Sequence, residues 1–316
     1  MEIQEILKDS HFNDGTWDVA KQIVQERINL PYAFLQLIRN AWNDELSQSE
    51  FLRLVSFSGA NPSCLFNVAD IQIKEDTPVH EQAELLEKAI EKLGIRFSIF
   101  VLAVNVCVRK ILSNKPPSGW RKLLESMMKD IHIGCCFGTF TSEMGKEGGG
   151  LVGFARTIGL GILMANNPKS FRSYLDMKRQ LLDVSHEKMI DLFQCEPYQV
   201  SAILLQYLGF GISSAVGAIC GLSKLNTEHL NFNYADNKWR AAFAWIDALR
   251  EGRDYPAEVE LRNAFPAIRP PKNRNTSNPV LEMLYVDVAS IRQKGSPWMW
   301  HLPKPDYNKT KEMFNL

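Results

Sequence analysis

The chain has 316 residues, enough for about two domains at roughly 100–200 residues each, and its 45% apolar and 23% charged content excludes a disordered or fibrous protein. Lys plus Arg is 36 and Asp plus Glu is 36, so the formal charge is zero and no overall field draws the chain to nucleic acid or anionic lipid. Any polyanion site must be local.

From the N-terminus, Met1 to Asp9 mixes acids into its first turns and lacks the basic and apolar regions of a signal peptide. Helical periodicity then dominates. Apolar spacing predicts helices near residues 16–28, 31–44, 47–57 and 62–69. Leu85, Leu86, Ala89, Ile90 and Leu93 form one stripe with Glu84, Glu87, Lys88, Glu91 and Lys92 outward, an amphipathic helix. Its start is signalled by Thr77-Pro78, a hydroxyl cap followed by proline at the first helical position. Asn61-Pro62 and Glu196-Pro197 repeat that punctuation. Further helices are predicted near 95–114, 119–143, 150–164, 169–182, 185–194, 197–208, 212–223 and 227–250. Strand alternation is scarce, so the fold class is all-α.

Pro197 to Ser223 carries no charge over 27 residues, long enough to cross a bilayer of about 30 Å. Gly209-Phe210-Gly211 suits a break between two shorter buried helices, so no membrane span is expected there or in the run Ile95 to Val108. The six cysteines, Cys64, Cys107, Cys135, Cys136, Cys195 and Cys220, include no C-x-x-C and lie mostly in apolar stretches. They are expected to be reduced and the protein cytoplasmic.

Ser113 to Gly119 is rich in turn formers and marks a joint. It separates an N-terminal helical lobe, residues 1–115, from a second helical lobe, 116–250. Eight of the 15 prolines fall between Pro256 and Pro305, so 251–316 is expected to be a proline-rich extension. A helix is expected within Asn278 to Gln293, and Trp298, Trp300, Phe314 and Leu316 suggest that the tail packs on the body.

Chemical motifs are sparse. Gly145 to Gly150 lacks the G-x-x-x-x-G-K-[ST] pattern and preceding strand of a phosphate loop, and is expected to be a flexible turn between helices. Gly159, Gly161, Gly209 and Gly211 lack dinucleotide spacing and are expected to serve packing or turns. The histidines His11, His80, His132, His186, His229 and His301 are scattered singly, without the clustering a metal site needs. Cys135-Cys136 diverge on a helix and fit packing better than chelation. His132, in the apolar run Ile131 to Phe140, is the one histidine retained as a site residue. Arg262, Arg269, Lys272 and Arg274 stand among prolines without interleaved aromatics, which describes a solvated linker, so no nucleic acid is expected as a partner.

The order of several short segments carries more than any one motif. Leu30-Pro31, Asn61-Pro-Ser-Cys-Leu-Phe-Asn-Val-Ala-Asp70, Ala89-Ile-Glu-Lys-Leu-Gly94, Gly153-Phe-Ala-Arg-Thr-Ile-Gly159 and Leu192-Phe-Gln-Cys-Glu-Pro-Tyr-Gln-Val-Ser-Ala-Ile-Leu-Leu205 follow one another across about 190 residues. In that order the region from Leu30 to Lys224 resembles the HDOD family, the HD-related output domain of bacterial signal-transduction proteins. The fourth segment looks like its G-L-L-H-D-I-G signature. The resemblance implies a multi-helical HD-like bundle in which the two lobes form one unit.

The departures bear on function. In catalytic HD relatives the signature His and Asp bind a metal that lowers the pKa of an attacking water. Here those positions are Arg156 and Thr157, and a guanidinium is a permanent cation with no lone pair to give. A later family histidine falls on Pro197, and no histidine occurs between Glu187 and Glu228. The resemblance therefore implies a non-catalytic regulatory protein without a cofactor or catalytic residue. Its partner would be a signalling protein or a small signalling ligand such as a nucleotide, and its vestigial pocket would comprise Arg156, Thr157, Asp130 and His132. Arg156 either grips an anion there or pairs with an acid such as Asp130 and fills the lost metal position. The competing expectation is a metal-dependent phosphodiesterase with a rearranged site drawn from Asp130, His132, Asp183 and Glu187.

Overall fold

A computed structural model describes residues 14–57, 62–73, 77–112, 119–180, 184–223, 234–271 and 277–295. Among these residues the chain is all-helical, without strands. The first half contains α1 (Gly15–Arg27), α2 (Tyr32–Trp42), α3 (Gln48–Phe57), α4 (Ser63–Val68), α5 (Val79–Leu93) and α6 (Ile95–Leu112). Then come α7 (Trp120–Phe140), α8 (Gly145–Asn166), α9 (Pro168–Arg179), α10 (His186–Phe193), α11 (Pro197–Leu208), α12 (Ile212–Leu222) and α13 (Tyr234–Glu251). A short α14 (Val259–Arg262), a 3₁₀ turn (Pro266–Ile268) and α15 (Pro279–Lys294) follow.

Local chemistry sets many of these ends. Asp14 caps α1 by accepting from Thr16 N at 3.1 Å, and Asn167 caps α9 by accepting from Ser170 N at 3.1 Å. At α11, Pro197 takes the first helical position, where its missing N–H costs nothing, while Gln199 Oε1 reaches back to Glu196 N at 2.8 Å. The Thr77-Pro78 signal works differently from expectation. Pro78 is itself the cap of α5 and makes no side-chain cap bond, and the Thr77 carbonyl accepts from Gln82 Nε2 at 2.7 Å.

The centre of the fold is the antiparallel pair α7 and α8. Gly134 and Gly138 face Gly149 and Gly145, and a Cβ added at Gly134 or Gly149 would collide with the other's backbone carbonyl. The glycines thus let two helix backbones touch. This corrects the expectation for Gly145 to Gly150 in part: Gly145 keeps the positive φ of a turn, at 67°, but the segment forms the first turns of α8, where the absent side chain of Gly149 serves close packing. Gly159 does the same against the Pro197 carbonyl of α11.

One apolar cluster runs through the bundle, from Trp17 and Val24 of α1 to Leu284 and Ile291 of α15. The α8 helix is its axis. Among the described residues it is the one helix long and apolar enough to cross a membrane, and 83% of its apolar window is buried inside the protein. The uncharged stretch after Pro197 is divided, as expected, into α11 and α12, with Gly209 at φ 86° and Gly211 at φ 93° between them. Helix α1 packs on α8 and α11, where Arg27 Nε donates to Asn166 Oδ1 at 2.9 Å and Gln199 Nε2 to Thr16 Oγ1 at 2.6 Å.

After α13 the chain stays attached. Trp245 Nε1 donates to Leu261 O at 3.0 Å, and Phe265 meets Phe137 edge to face at 5.1 Å. Helix α15, capped by Asn278, lies against α7. Arg262 and Arg269 of the basic stretch donate to backbone carbonyls of their own segment, Pro256, Ala257 and Asn263. Lys272, Arg274 and the four tail residues Trp298, Trp300, Phe314 and Leu316 lie outside the described residues, as does most of the Ser113 to Gly119 joint.

Candidate functional site

The site forms where α7, α8 and α13 meet. The glycine contact that joins α7 to α8 extends to Gly153, whose position directly against the Asp130 carbonyl leaves no room for a Cβ. One helical turn further on, Thr157 is therefore beside the Asp130 side chain. Its Oγ1 donates to Asp130 Oδ2 at 2.9 Å, while Arg250 Nε, from the last turn of α13, donates to Asp130 Oδ1 at 2.9 Å. Both carboxylate oxygens are engaged.

Arg156 lies next to this group and pairs through Nη2 with Asp247 Oδ1. Of the two expectations for Arg156 this is the pairing with an acid, and the acid is Asp247, because Arg250, one turn beyond it on α13, takes the Asp130 carboxylate. Two acids and two guanidinium groups thus alternate without net charge. The Asp130 side chain is 2% exposed and burial pushes its carboxyl above the ordinary carboxylate range, with Arg250, Arg156 and the Thr157 hydroxyl opposing that shift. The Arg156 side chain is 10% exposed, and its Nε and Nη1 are buried without hydrogen-bond partners in the structure. Each such donor costs about 1–3 kcal/mol unless something accepts from it.

A cavity of about 830 Å³ opens beside the cluster. Its walls are the first turn of α7, the Arg156 to Leu160 stretch of α8, the inner face of α9 and Arg250. Arg121, Lys122, Arg156, Lys178, Arg179 and Arg250 line it and no acidic residue does. Trp120, Phe171 and Tyr174 supply an aromatic side, with Phe171 and Tyr174 stacked at 6.0 Å. The α7 helix enters the wall from Gly119 at φ 96°, where a Cβ would strike Leu175, and its first turn has neither a side-chain cap nor an acid. The free N–H ends of that turn add positive potential.

The expected pocket is therefore gathered in part. Asp130, Arg156 and Thr157 come together, but His132 does not. Two residues past Asp130 on a helix it projects to the other side, towards Lys146 and Asp287, where burial first and Lys146 second lower its pKa. Glu187 is exposed on α10, and Asp183 lies outside the described residues. Among the described residues no group of three His, Cys, Asp or Glu side chains converges as metal ligands would.

Sequence reasoning missed Asp247 and Arg250, which reach the site only through the packing of α13. It also missed the wall residues Trp120, Arg121, Lys122, Tyr174 and Lys178. One local signal was present: two cations and no acid in the first turn after Gly119, the reverse of what the helix dipole favours. The chain matches no known family, no characterised protein and no solved structure.

Proposed function

We propose that this chain is a non-catalytic regulatory protein on an HD-like helical scaffold, a bacterial signal-transduction component. It acts by recognising a small anionic signalling ligand, whose occupancy a partner protein reads. The observation that carries this proposal is the engagement of Asp130. Its two oxygens accept from Thr157 and Arg250, and in the resemblance to the HD signature Arg156 takes the place of the histidine. A divalent ion placed beside Asp130 would meet two guanidinium groups, and both oxygens of that carboxylate already accept hydrogen bonds. The same cations, facing a cavity without acids, favour an anion.

The test is a phosphodiesterase assay on bis(p-nitrophenyl) phosphate with added Mn²⁺, Ni²⁺ or Fe²⁺, run beside affinity isolation of partners from the native cell. No turnover and a reproducible signalling partner are expected. Turnover that is abolished by chelation and restored by metal would overturn the proposal in favour of a rearranged phosphohydrolase.

A further inference from the structure

The cavity beside Arg156 has two chemically different kinds of surface, and together they define a ligand class. Of its six cations, three have an acid: Arg156 on Asp247, Arg250 on Asp130 and Arg179 on Asp176. Arg121, Lys122 and Lys178 have no acidic partner among the described residues, so the wall keeps an excess of three positive charges. Arg121 and Lys122 stand in the first turn of α7, where the helix dipole opposes them, and Lys178 closes the space from the last turn of α9. An anion between these two helix ends relieves that repulsion.

Arg156 adds a further cation behind the same wall. The Arg156 side chain is nine-tenths buried at the cavity wall and leaves two nitrogens unbonded. The same two helices, α7 and α9, also present flat, apolar surface: the half-buried Trp120 ring, with the Arg121 guanidinium over it at 5.5 Å, and the stacked Phe171–Tyr174 pair. A free phosphate would use the cations alone. A ligand with a planar ring and a chain of phosphates would use both surfaces, and about 830 Å³ is within the range of small-molecule sites.

We propose that this cavity binds a nucleoside polyphosphate, with its phosphates between Arg121, Lys122 and Lys178 and its base against Trp120 and Tyr174. This assignment rests on the ligand-recognition role proposed above.

Isothermal titration of the full chain in magnesium-free buffer compares ATP, GTP, inorganic triphosphate and adenosine. A nucleoside triphosphate is expected to bind at one site, inorganic triphosphate more weakly, and adenosine not at all. The exposed pair Arg121→Ala with Lys178→Ala should weaken both phosphate ligands by about tenfold or more, since each loses two charge-assisted contacts. Trp120→Ala should weaken the nucleotide and leave inorganic triphosphate unchanged; far-ultraviolet circular dichroism confirms that the variants fold. Failure of both nucleotides to bind, or equal binding by the double variant, overturns the assignment. Equal binding of inorganic triphosphate and nucleotide, insensitive to Trp120→Ala, overturns it in favour of a plain polyanion site. Neither result restores metal chemistry, so the regulatory proposal falls only to metal-dependent turnover.

Discussion

Arg250 donates through Nε to Asp130 Oδ1 at 2.9 Å, tying the last turn of α13 to the middle of α7 across 120 residues of sequence. Asp130 is almost fully buried while Arg250 keeps 39% of its side chain exposed, so the two ends of the pair are unequal. Loss of Arg250 strands a buried carboxylate; loss of Asp130 leaves a guanidinium that water can reach.

That inequality predicts an order of stabilities. Arg250→Met should cost about 3–5 kcal/mol, the usual cost of leaving a buried charge without its partner. Asp130→Leu combined with Arg250→Met and Thr157→Val, which removes every polar member together, should recover much of that loss. Urea unfolding midpoints at constant slope measure both, and equal instability of the single and triple variants would show that the pair is not what stabilises this junction.

The contact of the α7 and α8 backbones gives a second prediction. Gly149→Ala places a methyl against the Gly134 carbonyl and should destabilise by about 1–3 kcal/mol or more, as overpacking does. Gly161→Ala, in the same helix but facing only the movable end of Ile111 at 3.2 Å, should stay within about 1 kcal/mol of the parent because alanine also favours helix. Thermal melts of the two variants separate packing from propensity.

His132 supplies a pH dependence. Its pKa in the folded chain lies below the usual 6.5, because burial and Lys146 disfavour the imidazolium. The unfolded chain therefore binds the proton first, and stability is full above about pH 6.5 and falls as the pH drops through that value towards the folded pKa. The melting temperature of the parent should decline between pH 7 and pH 5 more steeply than that of His132→Gln. Parallel curves would remove His132 from the account.

Burial also governs the thiols. It pushes Cys64, Cys107 and Cys195 up to about 12 and Cys136 to about 11, and raises Cys135 as well. These five side chains carry almost no thiolate at pH 8. Iodoacetamide should leave them unmodified in the native chain and alkylate them in urea, as followed by peptide mass. Rapid native modification of Cys107 would contradict its place in the core.

Much of the bundle was legible because its signals are local. Pro197 after Glu196, the apolar stripe ending at Leu93 and the Gly209 to Gly211 break each act within a few residues, and the corresponding helix limits agree with the spacing. The segment from Gly145 to Gly150 is the opposite case. A run of glycines costs a helix conformational entropy, and only the facing Gly134 and Gly138 explain why it stays helical. Site residues divide in the same way. Arg156 and Thr157 are neighbours in one short segment and are read together, whereas Asp247 and Arg250 look like ordinary residues of an amphipathic helix until α13 is docked. His132 was placed by its apolar surroundings, which do not say which side of α7 it faces.

The proposed function turns on the two arginines and the engaged Asp130 carboxylate leaving no site for a divalent metal. Titration of Mn²⁺ into metal-stripped protein, followed by the paramagnetic resonance signal of the free ion, tests it most directly. The signal is predicted to rise in proportion from the first addition, as in buffer alone. Sequestration of one Mn²⁺ per chain, lost in Asp130→Asn, would contradict it.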